Sequence, residues 1–112
     1  MSDSSSQKPF RCTLDEAGDG LVFLRPAGEL DLATAPQLDA SLREAHERGF
    51  RRLVVDLRGL EFMDSTGLTL LMRWTLEARN DGIEFAVVPG DSRIRRLFEL
   101  TQLNAHFTFV DG

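Results

Sequence analysis

The chain has 112 residues, with 13 Lys and Arg against 18 Asp and Glu, for a formal net charge of −5. That length holds a single core, and 42% apolar against 28% charged residues is too apolar for a disordered chain. An acidic balance lacks the basic surface that displaces counterions from nucleic acid or docks on anionic lipid, so neither is an expected partner.

Residues 1–9 are polar and Ser-rich and end at Pro9. They read as a disordered leader without the basic head and apolar stretch of a secretion signal, which leaves residues 10–112 as the folded domain. No run approaches the roughly 20 apolar residues that span a bilayer. Cys12 is the sole cysteine, so no intramolecular disulfide forms, and a reducing cytoplasm is the expected location.

Phe10, Cys12 and Leu14 alternate with polar residues, as in a half-buried edge strand. The Gly18-Asp19-Gly20 turn joins it to Leu21–Leu24 as a hairpin, and Gly28-Glu29-Leu30-Asp31 either continues that strand or bends away. Thr34 reads as a hydroxyl cap and Pro36 as an early helical proline, followed by Ala35, Leu38, Leu42 and Ala45 at helical spacing and a stop at Gly49. Leu53–Leu57 is nearly continuously apolar, as in a strand covered on both faces. A loop from Arg58 to Met63 leads to a second helix marked by Leu68, Leu71, Met72 and Leu76 and ended by Asn80-Asp81-Gly82. Ile83–Val88 is a further strand. Ser92 is the expected cap of a third helix bearing Ile94, Leu97, Phe98 and Thr101, and Phe107–Val110 a last short strand. This alternation gives an α/β fold with a mixed sheet and right-handed crossovers.

Chemistry concentrates at Asp64-Ser65-Thr66-Gly67, where a strand hands over to a helix. The plain reading is a capping carboxylate, a hydroxyl and a glycine in a tight turn. The functional reading makes Ser65 a modification site or interface centre at a loop tip, where a phosphate would meet the positive end of the helix dipole beside Asp64. Enzyme readings fare worse. The segment lacks the first glycine of G-x-S-x-G, and His106 is the only downstream histidine, so nucleophilic catalysis is not expected. Asp31, Asp56 and Asp64 at strand ends read as caps and turn formers. His46 and His106 have no Cys or clustered carboxylate at ligand spacing, and no glycine-rich phosphate loop is present, so neither metal nor cofactor is expected. Arg93, Arg95 and Arg96 mark a solvated helix face or a contact for an acidic partner, and Trp74 belongs either to the core or to a partner face.

Three segments in order, Gly28-Glu29-Leu30-Asp31, Phe62 through Leu68 and Arg95 through Leu100, resemble the STAS domain family, especially its bacterial anti-sigma factor antagonists. The resemblance spans residues 10–110. It implies a mixed four- to five-stranded sheet with helices packed mainly on one face. It also implies a non-enzymatic transcription regulator that works by partner switching. Unphosphorylated protein would bind an anti-sigma factor that is also a serine kinase, releasing a sigma factor. Phosphorylation of Ser65 would end that binding, and a serine phosphatase would restore it. Carried onto this chain, the docking surface would comprise Glu29, Asp31, Asp64, Ser65, Thr66, Gly67 and Thr69. Thr69 stands where close relatives commonly have glycine. The alternative is an unmodified STAS scaffold subunit in a lipid-transport or stress-sensing assembly.

Overall fold

The computed structural model describes residues 9–111, so most of the expected leader lies outside the described residues. A hairpin opens the fold. Strand β1 (Arg11–Gly18) turns through Asp19 and Gly20 into the long β2 (Leu21–Leu30). Gly18, Asp19 and Gly20 all take left-handed backbone, with φ of 88°, 55° and 75°, which explains two glycines flanking an aspartate. Strand β2 continues through Gly28-Glu29-Leu30 past the last hairpin pair at Ala27, with an irregularity at Gly28, φ 104°.

Helix α1 (Ala35–Glu47) buries the expected stripe of Ala35, Leu38, Leu42 and Ala45. Its entry differs from expectation. Thr34 occupies the cap position without capping the helix; its Oγ1 donates to the Glu29 carbonyl at 2.7 Å and accepts from Asp31 N. Asp31 takes the turn-forming role instead, its Oδ1 accepting from the N–H groups of Ala33 and Thr34 at 3.0 and 3.2 Å.

After β3 (Arg52–Asp56) comes a 3-10 turn (Leu57–Gly59) and then β4 (Leu60–Met63), where the sequence suggests only loop. Leu60 and Met63 are buried and Glu61 and Phe62 are exposed, a pattern with no two-residue period to read. Helix α2 (Ser65–Asp81) ends at Gly82 in left-handed conformation, φ 70°. Its buried stripe runs through Leu68, Leu71, Trp74, Thr75 and Ala78. Leu76, expected inside, is exposed, whereas Trp74 belongs to the core. β5 (Glu84–Val88) and α3 (Ser92–Leu100) follow, with Asp91, not Ser92, accepting from the Arg93 and Ile94 N–H groups as the cap. The last segment is a single parallel bridge, Phe109 to Val87, and not a full strand.

The five strands form one mixed sheet, four in the order β1-β2-β3-β5 and β4 beside β2 off that path. β2 is antiparallel to β1; its first half pairs in parallel with β3 and its second half with β4. β3 in turn runs parallel to β5. Register places Val22, Leu24, Leu53, Val55, Phe85 and Val87 on one face, and these join buried residues of all three helices in one core. The opposite face carries Phe23, Arg25, Val54 and Asp56, with the Arg25 guanidinium stacked over Phe23. This is the expected α/β arrangement.

Candidate functional site

The pairing of β2 with β4 brings the two informative segments together. Glu29 is opposite Phe62 and Leu30 opposite Met63, and Asp64 N donates to the Leu30 carbonyl at 3.2 Å. The chain therefore leaves the sheet at Asp64 beside Asp31 and turns directly into α2. Asp64 Oδ1 accepts from Thr66 N at 2.8 Å, a short cap that fixes the first turn. Ser65, the first helical residue, is exposed, and its hydroxyl makes no hydrogen bond with any described residue.

Gly67 explains how closely α2 approaches the sheet. A β-carbon at this position would lie 2.8 Å from Leu30 Cδ2 and 2.8 Å from Met63 Cγ. Of the residues expected on the docking surface, Gly67 is buried and seats the helix, while Glu29, Ser65 and Thr69 are exposed. Asp64 and Thr66 are half-buried. So is Asp31, whose carboxylate is occupied in its own turn.

Ser65, Thr66 and Thr69 line one wall of a groove of about 450 Å³, and Leu32, Pro36 and Asp39 line the other. Leu32 stands 78% exposed at its mouth, an uncovered leucine beside the serine. Through Asp39 and Arg73 the groove joins a polar knot that sequence reasoning missed. Asp39 Oδ1 accepts from Trp74 Nε1 at 2.7 Å and faces Arg73 and Arg43 at 3.4 and 3.6 Å. Arg43 also stacks 5.3 Å from the Trp74 ring. The Asp39–Arg43 pair is legible as an i, i+4 pair, but Arg73 and Trp74 reach it from another helix.

Elsewhere, Asp56 is buried at the end of β3, held by Arg58 Nε and Nη2 at 3.0 and 2.8 Å and by Arg25 Nε at 3.3 Å. The Arg58 side-chain hydrogen bonds hold its carboxyl below the ordinary value, against the opposing effect of burial. The Asp15 carboxylate takes another nitrogen of Arg25. The Cys12 thiol is pushed up by burial, away from reactivity. Among the described residues no group of His, Cys, Asp and Glu has the arrangement to hold a metal ion, and no helix is long and apolar enough to cross a membrane.

A sequence model of the STAS domain matches residues 15–111. The chain belongs to the STAS domain family. It is 41% identical over 86 residues to the anti-sigma-B factor antagonist of Staphylococcus aureus, covering 76% of this chain and 79% of that protein. Its fold is similar to the crystal structure of an anti-sigma factor antagonist from Mycobacterium paratuberculosis, with TM-score 0.76 and 27% identity over 93% of this chain and 87% of that one. The anti-sigma factor antagonist SpoIIAA in its unphosphorylated form shares the fold, with TM-score 0.74 and 22% identity over 89% and 88% of the two chains. SpoIIAA has also been solved phosphorylated, with TM-score 0.68. In this STAS domain the Asp64-Ser65 step occupies the end of the sheet where β2 and β4 meet α2.

Proposed function

We propose that this STAS domain is an anti-sigma factor antagonist that docks through the β2–α1 turn and the start of α2, and that Ser65 is its switch. Unphosphorylated, it binds an anti-sigma factor with serine kinase activity and frees a sigma factor; phosphorylation of Ser65 ends that binding and a serine phosphatase restores it. The carrying observation is the exposed Ser65 hydroxyl, unengaged by any described residue, at the mouth of a groove with an uncovered leucine. The names of the curated relatives support the antagonist part of this reading.

The geometry suits a substrate serine and not a nucleophile. His46 faces Asp81, and the His106 carbonyl accepts from Arg79, both near the far end of α2. At 1.5 Å per helical residue those partners lie about 21–24 Å along the axis from Ser65. No described histidine is thus placed to activate its hydroxyl.

A phosphate on Ser65 adds about −1.5 to −2 charges at one surface point. It breaks no hydrogen bond to a described residue, and the α2 cap is already supplied by Asp64. The fold therefore stands while the docking surface gains negative charge locally. Incubation with the cognate anti-sigma factor and ATP, followed by intact mass and site mapping, tests this. One phosphate on Ser65, absent in Ser65→Ala, is the expected result; no phosphate, or phosphate elsewhere, refutes it.

A further inference from the structure

On the other side of the β4–α2 junction lies a second groove, of about 350 Å³. Phe62 and Met63 of β4 and Ile94, Leu97 and Leu100 of α3 line it. Phe62 and Leu100 are 47% and 69% exposed, two of the large apolar side chains the fold leaves uncovered. An apolar trough with exposed rims has the composition of a binding groove and not of a solvated helix face.

Its charge is equally particular. In a chain of net charge −5, α3 carries Arg93, Arg95 and Arg96, all exposed. Arg93 and Arg96 border the trough. Arg93 is engaged by Asp91, Arg96 makes no ion pair with any described residue, and Arg95 faces a different pocket, beside Pro89 and Phe109. Glu61, the carboxylate on the trough wall, already has a partner within the chain.

We infer that this trough is a second docking surface, which takes an amphipathic helix of a partner protein with carboxylates flanking its apolar stripe. Apolar side chains at helical spacing would cover Phe62, Leu97 and Leu100, and the flanking carboxylates would meet Arg96, with Arg93 beside it on the border. The positive charge of Arg96 and Arg93 at the trough border favours such a segment over one flanked by lysines. The site shares no lining residue with the Ser65 groove and does not depend on that serine's modification.

Two synthetic helical peptides test it, with the same leucine stripe flanked in one by Glu and in the other by Lys, each titrated into the full chain and followed by amide NMR. The Glu peptide is expected to shift Phe62, Met63, Leu97 and Leu100, and the Lys peptide to leave them in place. Leu100→Asp and Arg96→Glu are each expected to weaken binding by about tenfold or more. Both residues are exposed, so both variants should melt with the parent. Equal response to the two peptides, shifts centred elsewhere, or variants that bind as the parent overturn the inference. Leu100-dependent self-association, or capture by anionic vesicles in place of the peptide, overturns it by giving the trough another occupant.

Discussion

Gly67→Ala sets two ordinary expectations against each other. Glycine in a helix costs about 1 kcal/mol relative to alanine, so on propensity alone the variant should be stabilised. Position 67 is helical and lacks the left-handed backbone that would reserve it for glycine. Packing argues the other way. The new methyl would sit 2.8 Å from Leu30 Cδ2, 2.8 Å from Met63 Cγ and 2.9 Å from Leu30 Cγ. Carbon atoms prefer about 3.5–4.0 Å, so each contact overlaps by roughly 1 Å. Leu30 is 0% and Met63 6% exposed, so neither can swing out to solvent.

Overpacking of this kind costs about 1–3 kcal/mol, and two crowded side chains place it in the upper half of that range. Subtracting the helical gain leaves a net loss of about 1–2 kcal/mol, or about 5–10 °C in Tm for a domain of this size. Calorimetric melting of parent and variant measures it. The crowding also predicts coupling: with Leu30→Ala already present, Gly67→Ala should cost less than it does alone. A variant melting with the parent or above it would refute the packing account, as would strict additivity with Leu30→Ala. Because Ser65 precedes the crowded turn by two residues, the same variant should slow its phosphorylation without removing the hydroxyl.

Ser65→Asp should weaken binding to the cognate anti-sigma factor in a pull-down while shifting the thermal midpoint by no more than about 1 kcal/mol equivalent, as expected for an exposed position. Asp56→Ala should cost about 2 kcal/mol in denaturant melts, since it strips hydrogen bonds between a buried carboxylate and two guanidinium groups. The Asp56 carboxyl sits below its ordinary 3.8, so its contribution is present above about pH 4 and is lost as pH falls through the folded value. Stability of the parent should therefore drop on acidification more steeply than that of Asp56→Ala, with a remaining slope from Asp91, which the Ile94 N–H holds low in the same direction. Asp39→Ala should cost about 1–2 kcal/mol by leaving the Trp74 indole N–H without its acceptor, read by tryptophan fluorescence during unfolding.

What the sequence made legible follows from the range of the interactions concerned. α1 was readable because it buries one regular stripe, Ala35, Leu38, Leu42 and Ala45, set by local spacing alone. α2 was harder: its buried stripe spans Gly67, Leu70 and Trp74 as well as Leu68 and Leu71, so a leucine pattern pointed wrongly to Leu76. β4 was invisible because its four residues pair with the second half of β2, about thirty positions away, and show no alternation of their own. The α3 cap at Asp91 lost out to the adjacent Ser92, since Asp and Ser are both good local acceptors and only geometry separates them, whereas Asp31 forms the turn its strand-end position suggests. At the candidate site the Asp64-Ser65 step was plain from sequence. The Asp39 knot was not, because Trp74 reaches Asp39 across 35 positions.

That knot bears on how the proposed Ser65 switch would work. Ser65, Thr69 and Arg73 follow one another at four-residue spacing along the groove wall, which places Arg73 about 12 Å along the helix axis from Ser65. Arg73 and Arg43 both face the Asp39 carboxylate, so a phosphate on Ser65 would have to break an existing ion pair to recruit either. The amide of Thr66 is likewise taken by Asp64. Arg73, Arg43 and the Thr66 amide, which could fold a phosphate back onto its own domain, are thus already committed, and the new charge stays directed outward beside Leu32. A charge that reorders nothing inside the domain acts only on whatever approaches it, which is what a partner-binding switch on a standing fold requires.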